Sequence, residues 1–174
     1  MIKGLLIYAY SLCILLPQLK PAHTRHQLTL ALNNSRVTDS LYNSLSTLKT
    51  KTPLDIGYLG ALEALKAKHA WNPYSKLKYL KLSEKTFGNA VAADPHNIEI
   101  RFLRFSVEHN VPAFLGDNKH LYADREEMIS GIKRNHYTTD DKSLVITIIK
   151  FLLDSKRCTA AENAYLSKAL SRLL

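Results

Sequence analysis

The run Phe87-Gly88-Asn89-Ala90-Val91-Ala92-Ala93-Asp94-Pro95 decides how this chain folds. Phe87 and Ala90 are three apart, so on a helix they share one face. A large ring beside a small side chain makes a knob next to a gap, which lets a second helix lie close. Asp94-Pro95 ends the helix, because proline lacks a backbone N–H and its ring clashes with the turn before it. Upstream, Asn72-Pro73 places a capping residue ahead of proline at the first helical position, where the missing N–H costs nothing. The spacing predicts a helix over about 73–93, with Tyr74, Leu77, Leu80, Phe87 and Val91 as an apolar stripe.

The neighbours read the same way. A helix from Pro53 to about Ala70 buries Ile56, Leu59, Leu62 and Leu65, while Gly57, Gly60, Ala61 and Ala64 admit a close partner. Asn97 caps the element 98–110. There Ile98-Glu99-Ile100-Arg101-Phe102 alternates as a strand would, yet Ile98, Phe102, Phe105 and His109 share a helical face; the absence of a second convincing strand favours helix. Val111 to Gly116 is an apolar loop expected to tuck against the core. Further helices are expected from Thr38-Asp39 to Thr50, over 120–135 with Asn118 or Asp117 as cap, over 140–156 capped by Thr139, and over 160–173. Thr159-Ala160-Ala161-Glu162 forms a capping box for the last. Residues 23–37 stay open, because Gln27 to Leu32 alternates like a strand without a partner. Seven helices with short loops predict an all-α single domain, a bundle or a short superhelix.

A length of 174 residues suits one domain, and 46% hydrophobic composition can fill a core. Residues 1–22 read as a signal peptide, leaving a domain over 23–174. Met1-Ile2-Lys3 is a short positive start, Gly4 to Leu16 is apolar or small, and Pro17 breaks the run. It is shorter than the ~20 residues that span a bilayer as helix. A buried N-terminal helix is the alternative. Cleavage after Ala22 places Lys20 where a small residue is preferred, and Leu12 ahead of Cys13 is too large for lipoprotein processing. Without Lys3 and Lys20 the 24 basic residues fall to 22 against 15 acidic ones, and Cys158 becomes the only thiol, which excludes an internal disulfide. The basic balance favours acidic partners or an anionic envelope.

Phe87, Ala90 and Pro95 stand at the spacing of the second helix of a tetratricopeptide repeat, which this region resembles; Trp71 occupies a position where the repeat has glycine. The resemblance implies paired helices whose concave face suits a peptide or a partner helix. A true repeat fold and a generic helical array both remain open. The phrase Asn97-Ile98-Glu99-Ile100-Arg101-Phe102-Leu103-Arg104, with Asn110, Pro112, Phe114, Leu115 and Gly116 after it, resembles a group of small exported helical proteins of Bacteroidetes-type bacteria. That resemblance covers about residues 55–130. It implies an envelope address and a helical shape, and carries no activity or site.

Two polar constellations stand out. Arg101 and Arg104 are helix neighbours among Phe102, Leu103 and Phe105. They form either an anion-binding pair facing a groove or an internal clamp on Glu63, Glu84, Asp94 or Glu99. Lys78, Lys81 and Lys85 share a stripe near Trp71, Tyr74 and Tyr79, either a basic-aromatic surface for an anionic polymer or a plain solvated face. The seven histidines show no metal-ligand spacing, and no paired Cys-x-x-Cys, calcium loop, Gly-x-Ser-x-Gly elbow or phosphate loop occurs. Glu126-Glu127 and Asp140-Asp141 are adjacent pairs that point apart on a helix. Cys158 follows Lys156-Arg157 near a helix start, which would lower its pKa, but no histidine partner is assignable.

These features predict no cofactor, no metal, no catalytic residue and no nucleic-acid partner. The expected role is an exported protein-interaction or scaffold module in the periplasm or outer envelope of a Gram-negative bacterium. Its groove would lie beside 54–70, 73–93 and 98–110 and be lined by Trp71, Asn97, Arg101 and Arg104. The alternative is a basic module that binds an anionic envelope polymer or lipid headgroup through the lysine stripe.

Overall fold

The structure, a computed structural model, describes residues 21–112, 114–116, 118–135, 137 and 141–174. Residues 1–20 of the expected signal peptide, Cys13 among them, and the expected caps Asp117 and Thr139 lie outside these residues. All regular elements described are α-helices: α1 Pro21–Ala31, α2 Ser35–Ser46, α3 Pro53–His69, α4 Pro73–Ala93, α5 Ile98–Asn110, α6 Leu121–Lys133, α7 Lys142–Asp154 and α8 Ala160–Leu173. The all-α expectation holds, with eight helices among the described residues in place of seven. None of them is long and apolar enough to cross a membrane.

The extra helix is α1, over the stretch that alternates like a strand. It buries Thr24 and Ala31, two small residues seven apart, and lays Leu28 against the core. That narrow stripe is weak in hydropathy, which hides it in the sequence. Pro21 and Ala22 form its first turn. Helix α2 begins at Ser35, earlier than the expected Thr38. Asn34 is the cap, its Oδ1 accepting from Arg36 N at 3.0 Å and Val37 N at 3.3 Å. Thr38 sits one turn in and donates its hydroxyl back to Ala31 O at 3.0 Å.

Helix α3 is the axle of the first half. Every residue from Gly57 to Leu65 is buried, because α2, α4, α5 and α1 cover it on successive sides. Thr52 and Asp55 form its capping box ahead of Pro53. The Phe87 ring of α4 fills the gap left by Gly60: a Cβ added there would stand 3.1 Å from the ring. Ser83 donates to Gly60 O at 2.7 Å beside it. The ring is 1% exposed, a burial that stabilises the pair by about 1.5–3 kcal/mol.

Helix α5 settles the contested 98–102 stretch. Asn97 caps it, its Oδ1 accepting from Glu99 N and Ile100 N at 3.1 and 3.2 Å. Ile98, Glu99 and Ile100 are all buried because α5 is covered on two sides. Leu103 joins the core built with α1 to α4. Ile98 and Phe105 join a second core with Met128, Ile132, Val145, Ile148, Leu152 and Leu166. Ile98 also presses on Gly131 of α6, where an added Cβ would come within 2.4 Å of its Cγ2. The alternation is thus the trace of a helix buried on two flanks. Phe151 of α7 meets Phe102 and Phe105 edge-on, with ring centroids 5.4 and 6.0 Å apart. The capping box predicted for α8 is present, Thr159 with Glu162.

Candidate functional site

Helices α4 and α5, with Val111, Leu115, Gly116 and Asn118 after α5, line a groove of about 190 Å3. Leu77, Leu80 and Phe87 of α4 face Val107 of α5, with Val111 and Leu115 closing one end. The loop tucks in only partly, since Phe114 stands 85% exposed. This volume lies below the ~300–1,000 Å3 of a small-molecule pocket, so it suits one or two side chains of a partner.

Arg104, Glu108, Glu84 and Ser83 of this lining are engaged within the protein, while among the described residues Lys81 has no carboxylate partner and the buried Asn118 Oδ1 has no hydrogen-bond partner. Arg104 donates Nε to Asp124 Oδ2 at 2.8 Å and Nη2 to Oδ1 at 2.6 Å. Arg101 donates Nη1 to the same carboxylate at 2.9 Å, and its Nε and Nη2 to Pro95 O at 2.9 and 2.8 Å. Asp124 is completely buried. This is a clamp joining α5 to α6, and its acid is none of the four that the sequence suggested. Asp124 could have been found by its place on the inward face of α6 with Leu121 and Met128, where an acid needs a cation. Glu108 accepts from His120 N at 3.0 Å and His120 Nδ1 at 2.5 Å. It thereby does at the start of α6 what Asn118, with a φ of 48°, does not. Glu84 pairs with Lys119.

Of the four expected lining residues, only Arg104 borders this groove. Asn97 is spent on its cap and on Asp94 Oδ2 at 3.0 Å. Trp71 stands 98% exposed at the α3–α4 corner, on the rim of a separate polar cleft shared with Asp39, Lys66, His69 and Tyr79. Lys78, Lys81 and Lys85 are exposed on the outer side of α4 with Tyr74, Lys81 also bordering the α4–α5 groove, and none of the three has a carboxylate partner among the described residues.

A second buried network holds Glu99, which the sequence offers as a partner for Arg101 or Arg104, together with Arg25 and Tyr58, which it does not single out. Glu99 takes a fork from Arg25 of α1, Nε to Oε1 and Nη2 to Oε2, both at 2.7 Å. Tyr58 donates to Oε1 at 2.6 Å, and Arg25 reaches Asp141 at the start of α7 at 2.8 Å. The hydrogen bond to Glu99 raises the pKa of Arg25, and burial followed by the Glu99 charge raises that of Tyr58. Both stay protonated, so the network is a fixed brace.

Glu63 is also buried, with Oε2 lacking a hydrogen-bond partner, and burial pushes its carboxyl above the usual range. Burial, more than Glu162, raises the Cys158 thiol, against the expected lowering. Its sulfur lies 3.6 Å from Leu152 O. His109, packed by Phe105 and Phe151, accepts from Arg157 Nε at 2.9 Å, and burial with that charge lowers its pKa. Among the described residues no three His, Cys, Asp or Glu side chains converge as metal ligands would. No protein family, curated protein or solved structure matches the chain.

Proposed function

We propose that this chain is an exported helical scaffold of a bacterial envelope, and that it holds a protein or peptide partner in the groove between α4 and α5. One observation carries the reading: the groove is apolar along its floor, while the arginine that borders it and the acids beside it are held by other residues of the chain. Such a surface offers apolar anchoring with no free acid and one unpaired lysine, Lys81, at its edge, the chemistry of a partner helix in a groove. The charge-led apolar run at residues 4–16 supports export. Phe87 seated on Gly60 supports a tetratricopeptide-like pairing of α3 with α4.

The test is site-specific photo-crosslinking in the native cell, with the photoreactive residue at Leu77, Val107 or, as control, Gly88, whose Cβ position is open. The expected result is one defined adduct from Leu77 and Val107, absent from Gly88, with the protein found in the envelope fraction. Partner capture should survive ~0.5 M salt, at which exposed charges are strongly screened. Equal adducts from all three positions would refute the groove, and recovery in the cytosol would refute export.

A further inference from the structure

We propose that the outer face of α4 docks on an anionic lipid bilayer. This contact shares Lys81 with the edge of the α4–α5 groove but does not depend on a partner bound there.

Helix α4 has 21 residues and buries only Ser83, Phe87 and Ala90, all on one stripe. The opposite side carries Tyr74, Lys78, Lys81 and Lys85, spaced four, three and four apart, so they form one line along the helix. Leu82 stands beside that line, and Trp71 precedes its first turn. Trp71, Tyr74 and Leu82 are 98%, 80% and 37% exposed. At ~1.5 Å per residue the helix is ~30 Å long, and it lies on α3 by its inner side. Its outer side can therefore rest flat on a surface.

Charge complementarity names the occupant. Glu84 is the only acid in α4, and it is bound to Lys119. Arg25, Lys66, Arg101, Arg104 and Arg134 each pair with a carboxylate. Lys78, Lys81 and Lys85 have no carboxylate partner among the described residues. An unneutralised line of cations attracts an anionic surface, and each lysine near it contributes about a fivefold gain in binding. The interleaved apolar groups choose the bilayer over a soluble polyanion. Tyrosine and tryptophan settle where one end of the ring meets water and the other meets acyl chain, and the lysine stems lie along the same boundary while their ammonium groups reach the headgroups. A soluble polyanion would engage the lysines and leave those rings wet.

Trp71 is the only tryptophan in the chain, so its emission reports this face directly. The experiment uses the full chain with vesicles of phosphatidylglycerol in phosphatidylcholine, against vesicles of phosphatidylcholine alone. The expected result is co-sedimentation with a blue shift of Trp71 emission on the anionic vesicles and neither on the neutral ones. Substituting Lys78→Gln, Lys81→Gln and Lys85→Gln together should weaken vesicle binding roughly a hundredfold. The pair Tyr74→Ser and Leu82→Ser should weaken it and reduce the shift. These side chains are exposed, so the variants should fold, and all carry the same N-terminal apolar run. An unshifted Trp71 on anionic vesicles overturns the proposal. So does equal vesicle affinity in the triple lysine variant, which assigns binding to another segment. Dextran sulfate binding as tight as vesicle binding, and indifferent to Tyr74→Ser and Leu82→Ser, overturns it in favour of a polymer.

Discussion

Replacing Asp124 with asparagine should lower folding stability by about 3–5 kcal/mol. The carboxylate is fully buried and receives three N–H bonds from two arginines, at 2.6, 2.8 and 2.9 Å. Asparagine keeps the shape and removes the charge, so Arg104, with a side chain 7% exposed, is left as an unpaired buried cation. Arg101 suffers less, since it is 13% exposed and keeps both bonds to Pro95 O. The arginines should therefore differ. Arg104→Ala should cost about 3 kcal/mol or more, whereas Arg101→Ala should cost about 1–2 kcal/mol, because Asp124 retains the Arg104 fork. Changing all three to apolar residues, Asp124→Leu with Arg101→Met and Arg104→Met, should recover much of the loss. Urea denaturation followed by far-ultraviolet circular dichroism is the suitable assay, because Trp71 is too exposed to report on the core. A loss below about 1 kcal/mol for Asp124→Asn, or equal losses for the two arginine variants, would refute the clamp as described.

Two glycines of α3 and α4 should respond in opposite senses. Gly60→Ala forces the Phe87 ring to give way and should destabilise by about 1–3 kcal/mol, while Gly88→Ala, with nothing near its Cβ, should stabilise by up to about 1 kcal/mol in the same denaturation assay. Lys156 follows α7 with a φ of 57°, and Lys156→Gly should raise stability by about 1 kcal/mol, read as a higher urea midpoint at constant slope. Glu63 binds its proton more tightly folded than unfolded, so its contribution is full below the ordinary glutamate value of about 4.3 and is lost as pH rises through its higher folded value. Denaturation midpoints measured from pH 4 upward should show that decline in the native protein and lose the part due to this residue in Glu63→Gln.

Local chemistry was readable in the sequence. The Phe87–Gly60 seat, the helix caps at Asn72, Asn97 and Thr159, and the outward lysine stripe depend on residue size, caps or solvent periodicity within a few turns. The Arg101–Arg104 pair was visible as a polar cluster because two guanidinium groups among aromatics must find an anion. Which anion was not visible, since Asp124 lies 20 residues beyond Arg104 on a helix whose rotation only packing sets. The same limit hid the pairing of Glu99 with Arg25, 74 residues away. Helix α1 escaped because small residues and the long-range ion pairs of Arg25 with Glu99 and Asp141 hold it, and neither leaves a hydropathy period. Trp71 and Asn97 do not join the arginines in one lining, because the α3–α4 corner and the α5 cap place them in different settings.

Helix α5 lends one flank to each of the two cores. A fragment ending on either side of it would therefore carry a rod with half its apolar surface wet, or lose that rod entirely, and neither piece should hold its shape alone. Amide exchange should find α5 among the last segments to open, and the halves should melt in one transition. The chain is a two-storey building with a single floor between the storeys.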